Sequence, residues 1–205
     1  MGMSNIVARY LVADTNALDA DSVCEAQATT EADDLTINGT DTSGGVATFA
    51  AARQITVNSA GNIATLVFTI TGTDINGDEL IETVTGVNNS TVTTTGYFKT
   101  VTNVAVSGST SGNNVVVGMN GNALDVVFAG SIRIKGVYVV FSGTAGTMDF
   151  VEGSASGDSV FKFGTVNAAT SVDSIHIPEE GMWARNGCYL KYAVSTFASM
   201  TVFWA

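Results

Sequence analysis

Residues 53–117 consist almost entirely of short runs of Val, Thr and Ile separated by clusters of Gly, Asn and Ser. β-Branched side chains have restricted χ1 rotamers and pack well on a pleated sheet, whereas Gly and Asn tolerate the positive φ angles of tight turns. The pattern therefore predicts strands and hairpins. The same residues offer few side chains that perform chemistry, which favours a scaffold or binding role over catalysis.

Strand signals recur along the rest of the chain at the spacing of about 8 to 12 residues that is typical of sandwiches and barrels. The composition changes after a stretch rich in Gly, Ser and Asn at residues 107–123. We therefore predict an all-β protein with two antiparallel, sandwich-like modules of jelly-roll or immunoglobulin type, at residues 35–121 and 122–205. The predicted strands are 35–37, 46–50, 54–57, 64–71, 79–84, 91–95, 98–106, 115–119, 124–128, 131–141, 147–151, 160–163, 174–177, 188–194 and 201–204.

Residues 1–34 are the least strand-like part of the chain. Among the first 50 residues a single base, Arg9, accompanies eight Asp and Glu residues. The segment is predicted to be a short helix or strand followed by an acidic N-terminal arm. Two interpretations of this arm stay open: a solvated terminus, or a segment that becomes ordered on a neighbouring subunit.

The charge balance excludes one class of partner. The chain has 8 Lys and Arg against 19 Asp and Glu, a net charge of −11. This negative field repels nucleic acid. No stretch of 18 consecutive apolar residues and no signal-peptide core is present, so we expect folding in the cytoplasm without a membrane span. In that compartment Cys24 and Cys188 are expected to be free thiols.

One loop resembles the start of a calcium site. Asp74, Asn76 and Asp78 match the D-x-N-x-D opening of an EF-hand, but the sixth and twelfth positions hold Glu79 and Thr85 instead of Gly and Glu. The preferred interpretation is a hairpin turn, with Asn76 and Gly77 as the central pair of a type I′ turn.

The remaining candidates for chemistry are weaker. His176 is the only histidine and is expected at a strand surface, facing solvent or a partner. It has no closely spaced Cys or His with which to bind a metal. The carboxylate pairs are expected in turns and on solvated faces; they are Asp33 with Asp34, Glu79 with Glu82, and Glu179 with Glu180. We therefore predict no catalytic, cofactor-binding or metal-binding residues and no enzymatic activity.

Aromatic residues are concentrated in the last quarter of the chain. The favoured interpretation is core packing, and the alternative is a subunit contact. The same region holds Lys162, Arg185 and Lys191, so it is less acidic than the rest. The aromatic residues are Trp183, Tyr189, Tyr192, Phe197, Phe203 and Trp204.

Several motifs together resemble a known class of protein. TINGTDTSGGVATF, ARQITVNSAG, FTITGTDINGDELIETVTG and TGYFKTVTNVAVSG resemble a Thr-rich β module of structural proteins from tailed bacteriophages, particularly marine ones. VYVVFSGTAGTMDFVEG and IHIPEEGMWARNGCYLKYAVSTFASMTVFWA are similar to a companion β module. Together the motifs span residues 35–205, and the resemblance carries no catalytic residues.

The resemblance implies a non-enzymatic virion protein that is assembled in the host cytoplasm. The first expectation is a capsid decoration or cement protein that forms homo-oligomers and contacts the major capsid protein. A tail-associated protein, such as an adaptor, tube or fibre base, is the alternative within this class. An alternative of another class is a carbohydrate-binding module for host recognition, for which Trp183 beside Glu179 and Glu180 is the only candidate site. No cofactor is expected.

Overall fold

A computed structural model of the chain describes residues 6–14, 16–178 and 180–205. None of these residues is helical, and their strands form two antiparallel sheets of five and twelve strands. The predicted all-β, sandwich-like fold class is confirmed. The strands are β1 (Val7–Val12), β2 (Asp19–Gln27), β3 (Asp33–Asp34), β4 (Thr42–Ser43), β5 (Val46–Asn62), β6 (Val67–Thr73), β7 (Glu79–Thr85), β8 (Asn88–Thr93), β9 (Phe98–Val106), β10 (Val115–Phe128), β11 (Ile132–Phe141), β12 (Gly146–Glu152), β13 (Ser159–Thr165), β14 (Val172–His176), β15 (Met182–Ala184), β16 (Cys188–Ala193) and β17 (Phe197–Trp204).

The chain divides into two compact units. One is Asn16–Gly121, and the other joins Met1–Thr15 to Asn122–Ala205. We call them the central unit and the terminal unit. The first residues of the chain thus belong with its C-terminal half.

The central unit is built around the longest strand, β5. Its first half pairs with β9 and its second half with β8, while β9 continues to β6 and β6 to β7. Alternate residues of these strands point into one core, where Ile55, Phe68 and Phe98 have no exposed surface. This alternation is what the β-branched sequence pattern predicts, because side chains of a strand point alternately to its two faces.

The terminal unit contains the five-stranded sheet. Its order is β1-β17-β11-β14, and β15 also pairs with β11. In the same unit, β16 pairs with β12 and β12 pairs with β13. The final strand β17 lies between β1 and β11, which explains the apolar, aromatic C-terminal sequence.

In the described part of residues 1–34, β1 agrees with the predicted short helix or strand, but the paired strand β2 stands where the arm was predicted. β1 pairs along its whole length with β17, and Val117 of β10 lies opposite Cys24 of β2. Val23 and Cys24 are completely buried. β2 contains only one short buried run, and acidic residues occupy exposed positions on both sides of it. The sequence therefore lacks the alternating apolar pattern that predicts a strand.

Three other strand predictions need correction. Residues 35–37 form no strand, although Leu35 is buried and donates a backbone hydrogen bond to the Val104 carbonyl, 2.8 Å away. Residues 46–50 and 54–57 belong to the single strand β5, which runs through Arg53. The predicted strands 115–119 and 124–128 likewise belong to the single strand β10, which begins inside the predicted break at 107–123 and runs past its end.

Candidate functional site

The five-stranded sheet presents one uncharged face, which we call the outer face. Tyr10, Thr201, Tyr138 and Ser174 lie side by side across four strands. In the two central strands the residues that alternate with them, such as Met200 and Val139, are buried on the other side of the sheet, whereas Arg9 of β1 and Asp173 of β14 are exposed. The outer face comprises twelve described positions: Ala8, Tyr10 and Val12 of β1; Ser199, Thr201 and Phe203 of β17; Gly136, Tyr138 and Val140 of β11; Val172, Ser174 and His176 of β14.

This surface is uncharged and largely open to solvent. Tyr10 is 64% exposed, Val12 59%, Val172 56% and Tyr138 41%. None of the twelve described positions of the outer face holds Asp, Glu, Lys or Arg. In a chain with a net charge of −11, an uncharged sheet face of this extent is the surface best suited to contact with another protein.

His176 lies at one corner of the outer face. It is exposed, as the sequence predicts, because Ile175 and Ile177 on either side turn toward the protein. A pocket of about 230 Å³ lies beside it, lined in part by Lys135, Ser174 and Phe203. This volume is below the roughly 300 Å³ at which small-molecule sites begin. The pocket is therefore better described as a shallow depression at the edge of the outer face.

A second exposed feature surrounds Trp183 on the edge strand β15. The indole N–H donates a hydrogen bond to Ser131 Oγ at 2.8 Å, which fixes the ring. The guanidinium carbons of Arg133 and Arg185 lie over the ring, 4.8 Å and 4.5 Å from its centroid. We call Arg133, Trp183 and Arg185 the Trp183 cluster.

The geometry of the Trp183 cluster bears on the carbohydrate hypothesis. Glu180 lies beside it, with Oε2 3.4 Å from Arg133 Nη1, whereas Glu179 lies outside the described residues. Sugar sites use an open aromatic face for stacking, and here two guanidinium groups lie over the Trp183 ring. The arrangement is therefore better suited to an anionic partner than to a neutral sugar.

The calcium-like loop is a hairpin turn between β6 and β7. Asp74 Oδ1 accepts hydrogen bonds from the backbone amides of Asn76, at 2.8 Å, and Asp78, at 3.0 Å. The predicted type I′ turn is wrong, because Gly77 has a φ of 88° but Asn76 has no positive φ. The Gly77 amide bonds to the Asp74 carbonyl instead, as in a type I turn followed by a left-handed Gly.

Glu82 has a structural role that the sequence does not reveal. Its Oε1 accepts hydrogen bonds from the Thr95 amide at 2.6 Å and the Thr95 hydroxyl at 3.1 Å, and its Oε2 accepts one from the Gly96 amide at 2.8 Å. The expected solvated carboxylate thus holds the connection between β8 and β9. Its predicted partner Glu79 is exposed.

The terminal unit contains a buried polar network that the sequence also does not reveal. The Tyr192 hydroxyl donates to Asp125 Oδ2 at 2.7 Å and accepts from the Asp14 amide at 3.1 Å. Burial, followed by the nearby charge of Asp125, raises the pKa of Tyr192. The phenol therefore stays protonated and acts as a cross-link between chain segments.

Most of the C-terminal aromatic residues form core, as the favoured interpretation predicts. Tyr189, Tyr192, Phe197 and Trp204 are buried. The exposed exceptions are Trp183 and Phe203, which belong to the Trp183 cluster and the outer face.

The two cysteines are free thiols, as expected. Both are buried, and burial raises the pKa of Cys24 and of Cys188 to about 12. Such thiols are poor nucleophiles and poor metal ligands at neutral pH, because the reactive species is the thiolate. Within the described ranges, no three His, Cys, Asp or Glu side chains are grouped as metal ligands.

Arg53 is the most unusual buried residue of the central unit. It has no exposed surface; its Nη2 donates to the Asn16 carbonyl at 2.6 Å and its Nε to Met119 Sδ at 3.3 Å. The side chain thus joins the middle of β5 to neighbouring segments. In the sequence, Arg53 lies between the predicted strands 46–50 and 54–57, and nothing in this pattern indicates a buried side chain.

Comparisons with known proteins do not assign the chain to a family. No protein-family model matches the chain, and no curated protein is significantly similar to it. Among the described residues, no helix has the length and apolar character needed to cross a membrane.

Proposed function

We propose that this chain is a non-enzymatic structural protein of a tailed-bacteriophage virion, and specifically a decoration or cement protein of the capsid. The proposal rests on the outer face, an uncharged surface of aromatic, β-branched and hydroxyl side chains. The sequence motifs of residues 35–205 resemble virion β modules and give the proposal its biological context. Its partners are further copies of the chain and the major capsid protein.

The size of the outer face favours a repeated, weak contact. Four strands about 4.8 Å apart, each contributing about six residues at 3.3 Å, cover about 400 Å². A standard stable interface uses about 800 Å² on each partner. A contact of half that size is weak alone but sufficient in a symmetric assembly in which each subunit makes several contacts.

The Trp183 cluster separates this proposal from the carbohydrate alternative. A sugar-binding module requires an open aromatic platform, and the guanidinium groups of Arg133 and Arg185 lie over the Trp183 ring. Binding to a glycan array would support the sugar-binding alternative, and it would contradict a purely structural role.

The copy number in purified particles tests the proposal. Quantitative mass spectrometry of intact virions should find the chain at on the order of hundreds of copies, as lattice decoration requires. A number of about six to eighteen would assign the chain to a tail ring instead. Absence from purified particles would overturn the proposal for both locations.

A further inference from the structure

Charge is distributed unequally between the two units. The central unit contains eleven of the 19 carboxylates and only two of the eight bases, Arg53 and Lys99, which gives it −9 of the total −11. Arg53 is completely buried, and Lys99 Nζ is bound to the Ala50 carbonyl at 2.6 Å. The exposed charged groups of this unit are therefore almost all acidic.

The densest exposed acidic segment of the central unit is Glu31, Asp33 and Asp34. All three residues are exposed, and Asp33 and Asp34 form the short strand β3. Within the described part of the chain, none of the three carboxylates has an ion-pair partner. We call these three residues the acidic segment.

The Trp183 cluster of the terminal unit has the complementary chemistry. Arg185 is exposed, and its guanidinium lies over the Trp183 ring. Arg133 is paired with Glu180, whose side chain is 84% exposed. Such an exposed pair contributes about 0.2 to 1 kcal/mol, so another carboxylate can replace Glu180.

The Trp183 ring holds the guanidinium groups of Arg133 and Arg185 in place before a partner binds. Trp183 is hydrogen-bonded to Ser131, and stacking on it restricts the long arginine side chains. The two arginine side chains therefore lose less rotamer entropy when they bind a carboxylate. Each planar guanidinium can also form two parallel hydrogen bonds with that carboxylate. Trp and Arg are also the residue types that contribute most to binding energy at protein interfaces.

We infer that the Trp183 cluster binds the acidic segment of a second copy of this chain. Charge complementarity identifies the occupant, because every copy carries both the cationic cluster and a strongly acidic unit. The contact joins different patches on the two copies, so it generates rings or chains. The inference deepens the proposed function by naming a polar contact between subunits in addition to the outer face.

Mutual complementation of two variants tests this inference. R133Q/R185Q removes the cationic partner, and E31Q/D33N/D34N removes the acidic one. By sedimentation velocity, each variant alone should self-associate about tenfold or more weakly than the unaltered chain. An equimolar mixture should form a heterodimer, because each variant supplies the patch that the other lacks.

Salt dependence provides a second readout. Association of the unaltered chain should weaken when NaCl is raised from about 0.1 M to about 1 M, since the Debye length falls from about 10 Å to about 3 Å. R9Q/K162Q is the matched control, because it removes two charges from the same unit outside the cluster. It should associate like the unaltered chain.

Several results would overturn the inference. They are a monomeric unaltered chain at every concentration, undiminished association of R133Q/R185Q, equal weakening by R9Q/K162Q, and no heterodimer in the mixture. Binding of an acidic glycan or inorganic phosphate to the cluster in preference to a second copy would also reject the proposed occupant. Heterodimer formation by the mixture shows that both variants are folded.

The test is independent of the virion assignment. If the variants behave as expected but the chain is absent from particles, the proposed function fails and this contact stands. If the chain is abundant in particles and the variants associate normally, the contact fails and the proposed function stands.

Discussion

Replacing Glu82 by Ala should destabilise the central unit through one identifiable set of hydrogen bonds. The carboxylate accepts hydrogen bonds from the Thr95 amide, the Thr95 hydroxyl and the Gly96 amide, at 2.6, 3.1 and 2.8 Å. Hydrogen bonds to charged groups contribute about 1.5 to 3 kcal/mol when buried, but these are partly exposed and water can replace the acceptor. We therefore expect E82A to cost about 2 kcal/mol in all.

The second anchor of this connection limits the loss. The Thr94 hydroxyl accepts a hydrogen bond from the Ile55 amide at 2.8 Å, and the Thr94 amide donates one to the Ile55 carbonyl at 2.8 Å. These bonds do not involve Glu82, so the variant should still fold. E82Q should lose about half as much as E82A, because its amide oxygen can accept while its NH₂ group cannot.

Thermal unfolding followed by circular dichroism measures the effect. For a chain of this size, about 2 kcal/mol corresponds to a fall in Tm of about 4 to 8 °C. Glu79→Ala is the matched control, because the same residue type lies in the same strand with an exposed side chain. The control should change stability by about 0.5 kcal/mol or less. Equal effects of E82A and E79A would refute the assigned role of Glu82.

Three further predictions follow from other parts of the fold. Tyr138→Glu places a charge at the centre of the outer face; it should leave the Tm nearly unchanged and abolish incorporation into particles, measured by mass spectrometry. Burial raises the pKa of Cys24 and of Cys188 from about 9 to about 12, so stability should fall as pH rises between these values, and the stability of C24A/C188A, measured by urea titrations, should fall less steeply. Gly72→Ala would drive its Cβ into a carbonyl of β9 and should cost about 2 kcal/mol or more, whereas Gly164→Ala in β13 should be nearly neutral.

Each of these predictions has a result that would contradict it. Normal incorporation of Tyr138→Glu would exclude the outer face as an assembly surface, and Thr83→Glu, at an exposed position of β7, is its control. Equal alkaline slopes with and without the thiols would contradict burial as the origin of the pH effect. A stable Gly72→Ala variant would contradict the close approach of β6 and β9.

The sequence predicts the strands well where the side chains alternate. β9 at residues 98–106 matches its prediction in full, because β-branched residues repeat at every second position and turn residues bound the run. β2 is missed for the opposite reason: its buried Val23 and Cys24 stand among Asp and Glu residues. Burial there depends on the partner strand β10, and local sequence does not identify that partner.

Glycines that mark turns and glycines that permit close packing look alike in the sequence. Gly118 lies in the stretch predicted as a module boundary, yet it is inside β10, and a Cβ there would overlap the backbone of Asp19 and Ala20. The close approach of β2 requires a residue without a side chain. Gly77, by contrast, lies in a turn with a φ of 88°. Only the strand pairing shows that Gly118 permits close packing and does not mark a turn.

The outer face could not be predicted from the sequence as a surface. Tyr10, Tyr138 and Phe203 are far apart along the chain, and only the register of β1, β17 and β11 places them together. Within each strand alone, buried and exposed positions simply alternate, and this pattern does not show which strands are neighbours. The Trp183 cluster is similar, because Arg133 reaches Trp183 only through the pairing of β11 with β15.

A cryo-electron microscopy map of the intact particle tests the central claim most directly. In such a map the chain should decorate the capsid in many copies, with Tyr10, Tyr138 and Phe203 of the outer face buried against a neighbouring protein. A map in which the chain is present but the outer face is open to solvent would contradict the assembly role of this surface. A particle without the chain would contradict the virion assignment itself.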